Sequence, residues 1–291
     1  MMTYLEKRPM IMIVIGIMGI SMSAIFVKYS QAPSVVTAAW RLLWTVGLMS
    51  PAVWGFKRHR QELLGSHRKT VLLCAVSGVF LALHFWSWFE SLKHTTVASS
   101  TAIVCTEVIW VALGYCLFQK GKITKKAAAA IAVTLAGSML IAYSDSGEGG
   151  NHLYGDVLAL AAAVAVACYT LIGRKMRSTM STTSYTYIVY GFCAAALLLL
   201  GTVQGYALTD GGVSGAAVGL LLAVFSTIMG HSIFSWCLKY LSPTFVSASK
   251  LCEPVAAAGF AAVLFGEIPG ALQVAGGIVI IGGVLFYSLI E

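Results

Sequence analysis

Glutamates at 107 and 253, a lysine at 250 and an arginine at 41 each stand inside a run of about twenty largely apolar residues. An ionisable group at the centre of such a run costs about 2.5–3.5 kcal/mol on insertion scales, so four of them need a reason. Carboxylates and cations held away from bulk water can pair with one another and fix helix register. They can also line a water-accessible cavity, where they bind a charged solute or exchange a proton. The decapeptide ASKLCEPVAA (248–257) concentrates the question. Lys250 precedes Glu253 by three residues, one turn away on the same helix face. Pro254 has no N–H to donate to the Lys250 carbonyl, which predicts a kink and a carbonyl in need of another partner.

Two polar stripes at helical spacing add to this set. One carries Ser77, His84, Trp88 and Ser91, the other Thr227, His231 and Ser235. A lone histidine in a membrane helix is usually an interhelical donor, but two on polar faces of related segments suit a cavity wall. Trp88 and Trp44 are expected to stack on an organic ligand or face a cation. Trp40, Trp86, Trp110, Tyr187 and Tyr190 read as interfacial or packing residues. Glu90 and Glu267 fall near span ends, where water suffices. The predicted substrate-binding or coupling set is therefore Glu107, Glu253, Lys250, Arg41, His84, His231, Trp88 and Trp44, with Pro254 as the helix kink.

The elements that position these residues follow from composition. Of 291 residues 58% are hydrophobic and 10% charged, against about a quarter charged in ordinary soluble domains. Mean hydropathy is +0.85. The apolar surplus must face lipid, and this is an integral membrane protein. Ten runs are long enough to span, at about 10–28, 33–55, 70–92, 97–118, 127–143, 153–173, 184–206, 213–238, 244–265 and 270–290. They leave no room for a soluble domain, and they lack the alternation of a membrane β-barrel. A cleaved signal peptide at the N-terminus is not expected. Ser242-Pro243 reads as the N-cap and first residue of the ninth helix.

Of 19 lysines and arginines, fifteen fall in alternate connections, among them Lys57–Lys69, Lys120–Lys126 and Arg174–Arg177, while Lys28 and Lys93 lie on the other side. The positive-inside rule then puts both termini in the cytoplasm and the chain in the plasma membrane, multi-pass. The net charge of +8 is thereby a topology signal and not a nucleic-acid patch. The cluster KRHRQELLGSHRK could also meet anionic headgroups. The seven cysteines all lie inside the runs with no ligand spacing, and no metal or cofactor is expected.

The segment SDSGEGGNHLYGD separates five runs from five. LKHTTVASSTAIVCTEV (92–108) and LKYLSPTFVSASKLCEP (238–254) align without a gap, pairing Glu107 with Glu253, and the same offset pairs Gly137 with Gly283. Two repeats are expected, 1–143 and 153–291, joined by a linker 144–152. An odd number of spans inverts the second relative to the first, an arrangement recurrent in secondary transporters with a midplane site.

PSVVTAAWRLLWTVGLMSP (33–51) and SASKLCEPVAAAGFAAVLFGEIPGALQVAGGIVIIGGVLF (247–286) resemble the drug/metabolite transporter superfamily in its ten-helix EamA-type branch. Val108 stands where that family's first repeat often has a proline. The resemblance implies an all-α membrane protein of ten transmembrane helices in two inverted five-helix repeats. It places a central cavity among helices 1–4 and 6–9, with helices 5 and 10 at the periphery, and it implies export more often than import. The expected function is secondary transport of a small organic metabolite by alternating access, by proton coupling or exchange. Both signs of charge and aromatic walls suit an amino acid or similar zwitterion; a carrier of cationic amines, quaternary ammonium compounds or drugs is the alternative. A membrane enzyme is the distant one: no GxxxxGK[ST], HExxH or Gly-x-Ser-x-Gly is present. Expected partners are the solute and the lipid bilayer, with no nucleic acid. The small-residue faces of the fifth and tenth runs are expected to pack within a monomer or across a homodimer.

Overall fold

The computed structural model describes residues 8–95, 97–144, 153–265 and 269–290; the linker, Ser144 apart, and Glu267 lie outside them. The described residues are helical almost throughout, with no strand among them, and each apolar run becomes one helical rod. The rods are α1 (Pro9–Ser21, continued by Ser23–Lys28), α2 (Ser34–Gly55), α3 (Arg68–His94), α4 (Val97–Cys105, then Glu107–Gln119) and α5 (Lys125–Ser144). After the linker come α6 (Leu153–Arg177), α7 (Thr182–Val203), α8 (Leu208–Cys237), α9 (Pro243–Phe265) and α10 (Ala271–Ser288). Seven of them, α1, α3, α4, α6, α7, α8 and α10, are long and apolar enough to cross a membrane. The chain is a multi-pass membrane protein.

Three rods are irregular where chemistry-bearing residues lie. α4 breaks at Thr106, whose N–H donates to Ile103 at the tighter i−3 spacing, and Glu107 opens the second segment. In α9 a 3₁₀ turn, Lys250–Cys252, separates Pro243–Ser249 from Glu253–Phe265, so Glu253 also opens a second segment. The two glutamates paired by the sequence offset thus occupy the same local position. α4 breaks with no proline in its turn, and in α9 the expectation of an orphan carbonyl needs correction. The Glu253 N–H bonds the Lys250 carbonyl, so the 3₁₀ turn satisfies what Pro254 leaves open. In α8, residues Leu222–Ser232 form a π-helix, with the Thr227 and Ser232 hydroxyls donating five residues back. Ser242 caps α9 as expected, accepting from Phe245 N–H at 3.1 Å.

Helices of the first half pack chiefly on helices of the second: α1 on α8 and α9, α2 on α7 and α8, α3 on α6 and α7, α4 on α6 and α9, α5 on α10. The last contact is very close. A Cβ on Gly137 would come within 2.9 Å of the Gly276 carbonyl oxygen, and one on Gly276 within 2.8 Å of the Gly137 carbonyl. Small residues let two backbones meet, which supplies dispersion contacts that lipid cannot replace.

The connection between α2 and α3 holds a short helix, Lys57–Leu64, that reaches the second half through one side chain. Glu62 accepts from Ser181 N–H at 2.6 Å, from the Ser184 hydroxyl at 2.8 Å and from the Ser181 hydroxyl, so it closes the N-terminus of α7. Partial burial raises its pKa, but the Ser181 and Ser184 hydrogen bonds outweigh that and leave it below the ordinary 4.5. A depressed carboxylate stabilises the fold fully above its ordinary value and loses that contribution as pH falls through the lower folded value. Glu62→Gln is therefore expected to lower the thermal midpoint at pH 7, with the gap to wild type shrinking progressively below pH 4.5. Equal gaps at pH 7 and in strong acid would contradict this.

Candidate functional site

The four charged residues converge. Lys250 Nζ donates to Glu107 Oε1 at 2.8 Å, with both residues more than nine-tenths buried. This links α9 to α4, one half to the other, and the sequence neighbour Glu253 is left out of the pair. A buried ion pair of this kind fixes register more than it adds stability, because desolvation offsets the attraction.

Arg41 is 0% exposed and meets no carboxylate within ion-pair distance among the described residues. Its Nε donates to Thr227 Oγ1 at 2.6 Å, and its guanidinium carbon lies 4.0 Å from the centre of the Phe85 ring. The ring face attracts the cation but does not neutralise it. One donor, Nη2, has no acceptor. Thr227 belongs to the π-helix, whose wider turn sets it and His231 on the site side of α8; π-turns are frequent at functional positions. Glu253, in turn, makes no hydrogen bond or ion pair among the described residues.

Both unpaired groups line one cavity, with Lys250 and Glu107 on its wall. Its lining comes from α1, α2, α3, α4, α6, α8 and α9, and α7 alone of the eight expected helices is not part of it. The volume open to the centre of a water molecule is about 40 Å³, room for a few waters and too little for an amino acid. His84 and Trp88 lie on the wall with rings stacked at 6.2 Å and 8°. His84 Nδ1 is 3.0 Å from the Ala162 carbonyl, which can only accept. The Nδ1 therefore carries the proton, and in the neutral ring Nε2 is left as an acceptor. His231 faces His84 with ring centres 6.1 Å apart. Trp88 Nε1 is a second buried donor without an acceptor.

Seven of the eight predicted residues thus meet at one cavity, and the eighth does not. Trp44 lies about 60° around α2 from Arg41 at 100° per residue. It stacks on Trp40 at 6.0 Å and donates to the Ala216 carbonyl at 3.0 Å, with 37% of its surface exposed. Among the described residues no group of three His, Cys, Asp or Glu side chains could hold a metal ion.

Toward the lysine- and arginine-rich end, a hydrogen-bonded layer that sequence reasoning missed ties α3, α6, α7 and α8 together. Tyr169 meets Ser235 at 2.7 Å, Tyr190 meets Ser232 at 3.0 Å and Tyr185 meets Ser77 at 3.0 Å, all three tyrosines being buried. Below it Arg177 donates from Nε to the Ser235 carbonyl at 3.1 Å, and Arg174 bonds the Leu238 and Leu241 carbonyls. These arginines satisfy carbonyls at the C-terminal end of α8, where the helix dipole favours a cation. The polar stripes carried the signal, since Ser77 and Ser235 were on them; their partners were invisible without the fold.

Relatives resemble the chain over most of its length. An "Uncharacterized transporter" of Archaeoglobus fulgidus is 27% identical over 241 residues, covering 81% of each chain. Another of Clostridium kluyveri is 26% identical over 85% of this chain and 81% of its own. "Pseudopaline exporter CntI" of Pseudomonas aeruginosa is 26% identical over 76% of both. A solved crystal structure aligns with 98% of this chain and 97% of its own at TM-score 0.78, with 17% identity, a likeness of fold. The model of the EamA-like transporter family matches twice, over residues 7–143 and 153–289. The chain belongs to the EamA-like transporter family, a transporter of the drug/metabolite transporter superfamily.

Proposed function

We propose that this transporter exports a small zwitterion, an amino acid or a close derivative, by alternating access through the cavity between its two halves. The observation that carries this reading is the pair of unpaired charges on one wall. Arg41 offers an unfilled donor to a carboxylate, and Glu253 offers a carboxylate to an ammonium group or a proton. A buried cation without an ion-pair partner in contact is costly, and a bound carboxylate would supply one. Trp88 Nε1 adds a second unfilled donor on a residue of the same cavity wall. A purely cationic amine would leave the Arg41 Nη2 donor unfilled, which disfavours that alternative. Glu107 and Lys250 neutralise one another and hold the halves in register.

All ten rods cross the bilayer in this reading, as two inverted five-helix units, 1–143 and 153–291, with both termini in the cytoplasm and the plasma membrane as location. The small volume fits a state in which the solute has left, with the tyrosine layer closed on the cytoplasmic side. Opening that layer would admit solute from inside, and Glu253 would exchange a proton or an amine between the two faces. The name of the Pseudomonas relative supports export. The test is counterflow in proteoliposomes loaded with single amino acids. Accumulation of chemically unchanged labelled solute supports the reading. Conversion of the solute, or accumulation of amines lacking a carboxylate in preference, would contradict it.

A further inference from the structure

A second pocket opens at the end of the bundle opposite the basic connections. Its walls are the end of α1 with the following turn, the start of α2 and the end of α3, and about 250 Å³ is open to the centre of a water molecule, against about 40 Å³ in the central cavity. Lys28 and Lys93 both line it, and these are the two lysines that the positive-inside count leaves on the outer side. Glu90 is shared between Lys93 at 3.6 Å and His94 at 3.2 Å, while Lys28 has no ion pair among the described residues. Among the residues that line the pocket two are lysines and none is acidic, so its lining is positive. α2 starts there at Ser34, so its dipole adds positive potential.

The pocket and the central site lie along the same two helix faces. Ser34, Thr37 and Arg41 follow one face of α2 at i, i+3 and i+7, and Phe85, Phe89 and Lys93 one face of α3 at i, i+4 and i+8. Phe89 lines the outer pocket and also lies 6.0 Å from the Arg41 guanidinium carbon, so its ring forms the wall between the two. We propose that the outer pocket is a second anion site, which takes the carboxylate of the solute between Arg41 and the outer medium. The route to Arg41 rests on the function proposed above; the anion site itself does not. The same oxyanion chemistry is carried by phospholipid headgroups, and the experiment separates the two sources.

Ser30→Cys puts a thiol in the pocket. In phosphatidylcholine nanodiscs, where both faces are accessible, it is labelled with an anionic sulfonate or a cationic trimethylammonium methanethiosulfonate reagent. Peptide mass spectrometry reads residue 30 alone, so native cysteines do not interfere. After normalisation to a free thiol, the anionic reagent is expected to react faster by about tenfold, as focusing by a charged cleft predicts. Malonate is expected to slow it, and Lys28→Gln with Lys93→Gln to abolish both effects. Equal normalised rates with no protection would overturn the site. Slow labelling in phosphatidylglycerol discs that malonate leaves unchanged would assign the pocket to headgroups and overturn the solute path. Leu92→Cys on the opposite wall gives the same readings if Ser30→Cys folds poorly. None of these measurements uses transport, so their failure is separate from failure of the central site.

Discussion

Arg41→Gln is expected to weaken binding of a carboxylate-bearing solute by about a hundredfold, ~2.7 kcal/mol, within the usual range for removing one partner of a buried charge pair. The same substitution is expected to leave the empty protein as stable as wild type or more stable. Arg41 is buried without an ion-pair partner among the described residues and with one donor unfilled, so its removal relieves desolvation that the Thr227 hydrogen bond and the Phe85 ring offset only in part. Gln retains a donor for Thr227, whose hydroxyl now takes the 2.6 Å bond. Thermal midpoints without solute, set beside solute-induced shifts, check both halves. A large loss of stability in the empty protein would mean that Arg41 is a structural residue and that its unfilled donor has no ligand.

Lys250→Met is expected to do the reverse. It strips the partner from Glu107, which is 4% exposed and takes the lysine at 2.8 Å. Breaking a buried pair by removing one member costs about 3–5 kcal/mol when the remaining group stays charged. Replacing both members, Lys250→Met with Glu107→Leu, is expected to recover most of that loss, since an apolar pair of similar size is about neutral. The double-mutant cycle is read by thermal or denaturant unfolding in detergent. Additive losses would contradict the pair. Solute binding should survive in the double variant, because Arg41 and Glu253 are untouched.

Much of this was legible in the chain itself. Hydropathy marked the ten helical rods, seven of them long and apolar enough to cross a bilayer, which allows few solutions besides apolar helices, and the cap at Ser242 was readable because it is local. The charged residues stood out for the same reason: lipid makes each one expensive. Their partners were less accessible to reasoning. The offset that paired Glu107 with Glu253 could not say that Lys250 bonds the more distant glutamate, because that choice depends on how α9 meets α4. Pro254 suggested an open carbonyl, but the backbone tightened locally and closed it. The π-helix of α8 has no sequence signature, and it sets the position of Thr227 and His231. Trp44 shows the limit of choosing an aromatic by its run alone, since a rotation of about 60° on one helix separates a cavity wall from a surface. The tyrosine layer needed four helices, α3, α6, α7 and α8, brought together.

The central claim is that Arg41 and Glu253 read opposite ends of one solute, and a functional-group deletion cycle tests it most directly. Counterflow by wild type, Arg41→Gln and Glu253→Gln is measured with an amino acid as labelled solute. The competitors are the same amino acid, its decarboxylated amine and its deaminated acid. The account predicts that Arg41→Gln stops distinguishing the amino acid from the amine, and that Glu253→Gln stops distinguishing it from the acid. Loss of discrimination in the opposite sense, or wild-type discrimination in both variants, would contradict it.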